Sequence, residues 1–296
     1  MSNEVQKMKT TQDSNCRCFA HYDSQRLLAQ SVTTIHSGAG SRYPQGATID
    51  LENDRFYISR QTSGEYQDQM IYEYDLNTQQ LLRNQSVPIG VRVYLEGLVY
   101  FRNSSQQLCF IVPVDRYGKF GIFNFDTGQM EKEFSMEGNF KVGVDNHHKY
   151  FLCGRNEDPL KDPNANMDGV FLYDFASVVA GDPVLVETVQ FLHEQMFINK
   201  VQGITMIDDY ILLGQGVEYL SMSVLDLNGR LVHKASYDSK EIITLIGGNP
   251  DSTNLQVECE GISWITEDGR TYPILFPCSQ GKASIVKLGD LQMVRI

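Results

Sequence analysis

A glutamine or glutamate directly before a glycine is the polar position that recurs most regularly along this chain. The members of this set are Gln45, Glu96, Gln202 and Glu260. Where such side chains converge, their oxygens are able to bind a cation or to hydrogen-bond to the hydroxyls of a sugar. The alternative is that they satisfy only neighbouring backbone groups or channel waters, because buried polar atoms need partners. We therefore predict a ring of ligand-binding side chains, with backbone capping as the competing interpretation.

Three arginines in predicted loops are the candidates for contacts with an anionic ligand, and they are Arg60, Arg116 and Arg155. The chain is acidic, with 25 basic against 37 acidic residues and a net charge of −12. An anionic polymer would therefore need local cations of this kind, or a bridging cation. The same acidic balance argues against binding to nucleic acid or to anionic membranes.

Oxygen-bearing side chains alternate in the run KDPNANMDG, where Asp162, Asn164 and Asp168 stand at even positions. Oxygen ligands at every second residue suit Ca²⁺. A helix–loop–helix calcium site also needs Gly at its sixth and Glu at its twelfth position, where this chain has Met167 and Tyr173. A surface loop is the better interpretation. The three residues stay weak metal candidates, and calcium is the one cofactor that the sequence suggests.

Sequence signatures of common enzymes are absent. The chain has no G-x-S-x-G, no H-E-x-x-H, no phosphate-binding P-loop and no G-x-G-x-x-G. No catalytic residue is assigned, and the sequence favours binding over catalysis without deciding between them. Trp264, the single tryptophan, falls on a predicted inner strand and is expected in the core. Four cysteines in apolar runs are expected to be buried free thiols, and they are Cys109, Cys153, Cys259 and Cys278.

The elements that would position these side chains form an internal repeat. Its glycines are Gly46, Gly97, Gly143, Gly203 and Gly261, spaced 46 to 60 residues apart. Each glycine opens a strand, a polar turn and a second strand, and two further strands joined by an Asp- or Asn-containing turn follow. A unit of four strands and about fifty residues has the size of a propeller blade. The glycine would permit close backbone approach at the crowded axis.

The last repeat lacks its outer strand, and the N-terminal segment resembles the missing piece. Cys18–Val32 is similar to Ile71–Val87 of the first repeat. We predict an all-β fold, a β-propeller of five four-stranded blades closed by an N-terminal strand, with six blades as the alternative. Residues 1–15 would be a polar arm and residues 16–296 a single domain. Phe175–Ala180 is predicted as one helical turn, and Lys240–Gly247 as a short helix or a strand.

Targeting signals are missing from the sequence. The first fifteen residues are polar, without the apolar segment of a secretory signal. No apolar run approaches the ~18 residues that a membrane-spanning helix needs. We therefore expect synthesis in the cytoplasm without a signal peptide and without membrane insertion.

The openings QGATIDLENDRFYISRQ and ECEGISW, the latter followed by GRTYPILF, resemble a known β-propeller family. It is shared by phage receptor-binding proteins, teichoic-acid-gene propellers and helveticin-type bacteriocins. The resemblance covers most of the chain from Gly46 onward, but the third repeat has Lys141-Val142 where Gln or Glu would stand. It implies recognition of a bacterial surface glycan or glycopolymer, with no catalytic residues to carry over. It also implies a protein that is virion-associated or released, with other proteins of a particle as partners.

The leading hypothesis is therefore a propeller that binds a cell-surface carbohydrate, as a phage receptor-binding or bacteriocin-like protein. A protein-interaction scaffold using the long insertion Arg155–Gly169 is the second hypothesis. The third is a Ca²⁺-dependent hydrolase resembling apyrases or lactonases, with Glu96 and Glu260 near a channel metal.

Overall fold

The structure is a computed structural model of the chain. It describes residues 17–19, 28–32, 44–61, 69–89, 93–115, 118–155, 167–192, 200–216, 220–267, 269–280, 282–288 and 293–295. This part of the chain contains 22 strands and two short helices.

Two strands precede the repeats, β1 (Arg17–Phe19) and β2 (Leu28–Val32). Four blades then follow, each made of four consecutive antiparallel strands. Blade 1 contains β3 (Pro44–Asp50), β4 (Arg55–Gln61), β5 (Gln69–Asp75) and β6 (Leu81–Val87). Blade 2 contains β7 (Val99–Arg102), β8 (Leu108–Pro113), β9 (Lys119–Asn124) and β10 (Gln129–Ser135). Blade 3 contains β11 (Val142–Val144), β12 (Tyr150–Arg155), β13 (Gly169–Asp174) and β14 (Leu185–Gln190). Blade 4 contains β15 (Val201–Ile207), β16 (Tyr210–Gln215), β17 (Ser221–Asp226) and β18 (Leu231–Ser236).

Blade 5 joins the two ends of the chain. Its first three strands are β19 (Glu258–Glu267), β20 (Arg270–Ser279) and β21 (Lys282–Lys287), and its outermost strand is β2. The pairing of β2 with β21 runs from Leu28 opposite Lys287 to Val32 opposite Ala283. A second pairing joins β1 to β22 (Met293–Arg295). The prediction of five blades closed by an N-terminal strand is confirmed, and the six-blade alternative is wrong.

The two helices lie where the sequence suggested them. Helix α1 (Phe175–Val179) follows the third strand of blade 3, and the Asp174 carboxylate accepts a hydrogen bond from the backbone N–H of Ser177 at 2.8 Å. Helix α2 (Ser239–Leu245) follows blade 4, with Asp238 at its N-cap. An acceptor at this position satisfies backbone donors that the helix itself leaves free. The segment Lys240–Gly247, which the sequence assigned to either a helix or a strand, therefore forms a helix up to Leu245.

The turns after the third strands of blades 1 and 4 share one hydrogen-bonding pattern. The Asp75 carboxylate accepts hydrogen bonds from the backbone N–H groups of Asn77 at 3.1 Å and Thr78 at 2.8 Å. Asp226 accepts from Arg230 N–H in the same way, at 2.9 Å. Short Asp and Asn side chains favour such turns because they replace a backbone acceptor. The repeated Asp at the end of the third strand is thus explained by turn geometry and not by chemistry.

Five hydrophobic clusters hold the ring together, one at each contact between neighbouring blades. The last of them joins blade 5 to blade 1 through Ile274 and Phe276 on one side and Phe56 and Ile58 on the other. A single four-stranded sheet exposes both faces, so each blade depends on its two neighbours for burial. The four cysteines predicted to be buried free thiols are so.

The repeated glycines bring the innermost strands into backbone contact around the axis. A Cβ atom at Gly46 would lie 2.5 Å from the carbonyl oxygen of Leu95 in the next blade. A Cβ atom at Gly143 would overlap the carbonyl oxygen of Ile204. The expected role of the glycines, close approach at a crowded axis, is confirmed at these positions.

Candidate functional site

The strand order divides the central channel into two ends. Neighbouring strands are antiparallel, so the innermost strands all begin at one end of the ring. The connections between second and third strands, and those between blades, lie at this same end. We call it the upper face, and the end where the innermost strands finish the lower face.

The predicted ring of polar side chains lies at the upper face. Glu96, Gln202 and Glu260 are buried, with residue exposures of 5%, 5% and 3%. Gln45 is half-buried, and its amide donates to the carbonyl of the adjacent Pro44 at 3.5 Å. The structure brings Glu96 and Glu260 close enough for the charge of Glu96 to affect the pKa of Glu260.

Blade 3, which lacks the Gln or Glu, contributes a lysine to the same space. The Lys141 ammonium lies 3.4 Å from Oε2 of Glu96 and 5.0 Å from the centre of the Phe140 ring. Its side chain is 1% exposed. A cation of the protein itself therefore stands beside Glu96, where it competes with any external cation for that carboxylate.

The pKa of the Glu260 carboxyl group is strongly perturbed. Burial raises its pKa well above the ordinary value of 4.5, and a hydrogen bond with Glu258 and the charges of Glu258 and Glu96 raise it further. The charge of Lys200 opposes these effects. A buried acid whose pKa is raised keeps its proton to higher pH and is then a hydrogen-bond donor.

Several buried polar atoms of the upper face have no hydrogen-bond partner within the described residues. They include Oε1 of Gln202, Oε1 of Glu260, Nε2 of Gln61, and both amide atoms of Gln69. Buried polar groups in proteins are nearly always satisfied by protein, water or ligand. We call Gln61, Gln69, Gln202 and Glu260 the upper cluster because all four lie at the upper ends of strands, in blades 1, 4 and 5. Their hydrogen-bonding capacity, unmet within the described residues, makes this end of the ring a candidate binding site.

The predicted arginine contacts are differently placed. Arg60 lies in strand β4 and not in a loop, is 5% exposed, and has its guanidinium 6.0 Å from the centre of the Tyr72 ring. Arg155 ends strand β12, and its Nη1 lies 3.5 Å from Oδ2 of the buried Asp168. Arg116 lies outside the described residues, as do the metal candidates Asp162 and Asn164.

The lower face holds a pocket that the sequence did not reveal. Its volume is about 430 Å³, and the ends of innermost strands from four blades line it. Asp50, Tyr100, Arg102 and the predicted core residue Trp264 are among its walls. Trp264 is only partly buried, although it packs against the cluster between blades 4 and 5. The one available signal was that each of these residues lies within three residues of the end of an inner strand.

No group of three or more His, Cys, Asp or Glu side chains within the described residues is placed to hold a metal ion. No helix in this part of the chain is both long enough and apolar enough to cross a membrane.

Comparison with known proteins gives structural similarities only. No protein-family model and no curated protein matches the sequence. A tail fiber of Staphylococcus aureus phage P68 matches with a TM-score of 0.59 and 12% identity, over 95% of this chain and 56% of that one. The chain thus spans little more than half of the tail fiber. Glutaminyl cyclase of Myxococcus xanthus matches with a TM-score of 0.50 and 12% identity, over 91% of this chain and 97% of that one. At this identity the similarities support the propeller fold, and function has to be argued from the site.

Proposed function

We propose that this propeller is a receptor-binding module that attaches to a bacterial cell-surface carbohydrate or glycopolymer through its upper face. The observation that carries the proposal is the upper cluster, whose buried amide and carboxyl atoms lack hydrogen-bond partners within the described residues. A sugar offers hydroxyl groups that both donate and accept. Oxygens Oε1 of Gln202 and Oε1 of Glu260 are available to accept, and Nε2 of Gln61 is available to donate.

The surroundings of the cluster suit a ligand that reaches in from the upper face. Arg155 pairs with Asp168 there and keeps 27% of its side chain exposed. A paired but accessible guanidinium contacts sugar hydroxyls or the phosphates of a glycopolymer without adding an isolated charge. Anionic polymers are otherwise repelled by a chain with a net charge of −12.

The structural similarity is compatible with this role. A phage tail fiber shares the propeller fold, which agrees with a place for this chain on a particle that meets a cell surface. The proposal therefore includes other proteins of such a particle as partners. It takes no activity from the tail fiber, because the fold alone is shared.

A glycan array together with binding to bacterial envelope fractions tests the proposal. We expect saturable binding that Gln202→Leu weakens about tenfold, because a buried acceptor is lost while the side-chain shape is nearly kept. Arg155→Ala should weaken binding and reduce its sensitivity to salt. Arg230→Ala is the matched control, because this exposed arginine lies in a turn at the lower face and its loss changes the charge equally. Absence of binding to every envelope fraction would contradict the proposal.

Catalysis by Glu260 is the second candidate function. A buried carboxyl group with a raised pKa, beside Glu258 and Lys200, has the properties of a general acid–base residue. A glutaminyl cyclase shares the fold, so cyclisation of an N-terminal glutamine is the reaction to test. In that reaction the α-amine attacks the side-chain amide carbonyl, a new C–N bond forms and the original amide C–N bond breaks. Ammonia leaves with the proton that the acid supplies, and the resulting carboxylate takes the proton that the amine loses. Release of ammonia from a glutamine-initiated peptide, lost in Glu260→Gln, would support it, and no release would exclude it.

The two remaining hypotheses have direct tests. The scaffold hypothesis predicts a stoichiometric protein partner and no glycan binding. The hydrolase hypothesis predicts that Ca²⁺ co-purifies with the protein and raises its melting temperature, since a ligand that binds the folded state stabilises it.

A further inference from the structure

The pocket at the lower face is separate from the upper cluster. It occupies about 430 Å³ between the ends of the innermost strands of blades 1, 2, 3 and 5. Its walls combine aromatic rings with a few polar side chains, which is the usual make-up of a small-molecule site.

Trp264 gives the pocket a rigid aromatic wall. Its Nε1–H donates to the carbonyl oxygen of Val144 at 3.2 Å, so the indole reaches from blade 5 to blade 3. The same carbonyl accepts from the hydroxyl of Thr205 at 2.8 Å. The His148 ring is nearly perpendicular to the indole, with ring centres 5.5 Å apart and an interplanar angle of 78°. These contacts fix the orientation of the indole before any ligand arrives.

The polar side of the pocket is charge-compensated. Asp50 is 2% exposed, and its carboxylate accepts from the side-chain amide of Asn53 at 2.8 and 3.0 Å. It also accepts from Nη2 of Arg102 at 3.2 Å. Since 35% of the Arg102 side chain remains exposed, the guanidinium is held in place and still accessible. Burial lowers the pKa of His148 against the opposing charges of Asp145 and Glu52, which keeps its ring neutral near pH 7.

We propose that this lower pocket binds one neutral hexose or N-acetylhexosamine ring. The indole face of Trp264 offers a flat apolar surface for the C–H face of a sugar ring. Donors on Arg102 and hydroxyls of Thr48 and Ser263 line the same space and meet the ring hydroxyls. A volume near the lower end of the usual range for ligand sites fits one ring and not a long chain. Because it concerns the opposite face, this site does not rest on the upper-face proposal.

The single tryptophan makes the test local. The chain contains one Trp, so intrinsic tryptophan fluorescence reports on this pocket alone. We expect a saturable change in emission when the full chain is titrated with glucose, galactose, N-acetylglucosamine or N-acetylgalactosamine at millimolar concentrations. Oligosaccharides of the responding sugar form a second arm. An equal response would place a terminal residue of a polymer in the pocket, and a response to the monosaccharide alone would identify a free sugar as the ligand.

Two pocket variants and one control complete the design. Arg102→Gln removes the charged donor, and Thr266→Arg places a long side chain at an exposed position of the rim. Each should weaken the fluorescence response at least tenfold, and unchanged melting temperature of Thr266→Arg separates blocking from misfolding. Arg230→Ala, which removes the same charge at an exposed position outside the pocket, should leave the response unchanged. The proposal is overturned if none of the four sugars changes the emission, or if Thr266→Arg responds like the parent protein.

Discussion

The ammonium of Lys141 lies 3.4 Å from the Glu96 carboxylate inside the channel, and both side chains are almost fully buried. Two neighbouring blades thus contribute opposite charges to a space where a polar ring had been predicted. Coulomb attraction is stronger here than at the surface, but each charge has also lost its hydration. We therefore expect the largest loss of stability when only one partner of the pair is removed.

Replacing Lys141 by methionine should destabilise the protein by about 3–5 kcal/mol, because Glu96 would remain buried without its counter-ion. The free energy of unfolding from urea titration measures this effect. The double variant Lys141→Met, Glu96→Gln should recover most of the loss, since no uncompensated charge remains. A single variant as stable as the parent protein would show that the ion pair is not a structural element.

Replacing an axis glycine by alanine should lower the free energy of unfolding by an amount that depends on the space around the added Cβ atom. Alanine at Gly143 should destabilise the protein by about 1–3 kcal/mol or more, because its Cβ would overlap the backbone carbonyl of Ile204. Backbone atoms of an adjacent strand have little freedom to move away.

Gly261→Ala is the matched control for Gly143→Ala, because it makes the same substitution at the equivalent position of blade 5. Its Cβ would lie 3.2 Å from Cδ2 of the Phe276 side chain and 3.5 Å from the backbone nitrogen of Ala47. We expect a much smaller loss of unfolding free energy there. Equal losses at both sites would indicate that lost backbone freedom, and not contact between blades, explains the repeated glycine.

The repeat made the fold predictable because the residues that recur are required by the local backbone geometry of each blade. A glycine at the axis and an Asp or Asn in the turn after the third strand are both required by backbone geometry, so they recur. The similarity of Cys18–Val32 to Ile71–Val87 identified the closing strand for the same reason. Five blades and their closure followed from these positions.

The site was less predictable because its parts come from different blades. Lys141 stands one residue before the position of Gln or Glu in the other repeats, so an alignment of repeats places Val142 there instead. Only the folded channel shows that a long lysine side chain reaches Glu96. The sequence placed Arg60 in a loop, whereas strand β4 continues through it and ends at Gln61. The lower pocket depends on how far the ends of four strands stand apart, which no local pattern encodes.

Removal of the N-terminal strand should open the ring. A chain that begins after residue 32 lacks β2, so the outer edge of β21 loses the partner with which Ala283 to Lys287 pair. We expect a lower melting temperature and association through the exposed edge, measured by calorimetry and light scattering. A loss on the order of 3 kcal/mol would lower the melting temperature by about 6–12 °C. A chain that begins at residue 17 keeps both N-terminal strands and should remain monodisperse, and equal behaviour of the two truncations would contradict this role of β2.

Glu260 should make the stability of the protein fall as the pH rises. In the unfolded chain its carboxyl group loses its proton near the ordinary pKa of 4.5, whereas burial and the neighbouring Glu258 raise its pKa in the folded state. Between these two pKa values the folded state binds more protons than the unfolded state. The contribution of Glu260 to stability is therefore complete below the unfolded pKa and is lost as the pH rises through the folded pKa.

The variant Glu260→Gln tests this linkage because the amide keeps the size of the side chain and has no proton to lose. Its free energy of unfolding, relative to the parent protein, should rise as the pH increases above the unfolded pKa of 4.5 and level off above the raised folded pKa, with a slope of at most about 1.4 kcal/mol per pH unit. Glu187→Gln, at an exposed position of outer strand β14, is the control and should follow the parent protein at every pH. If Glu260→Gln and the parent protein lose stability in parallel, the proton is held elsewhere, and neither hydrogen-bond donation nor acid–base chemistry can be assigned to Glu260.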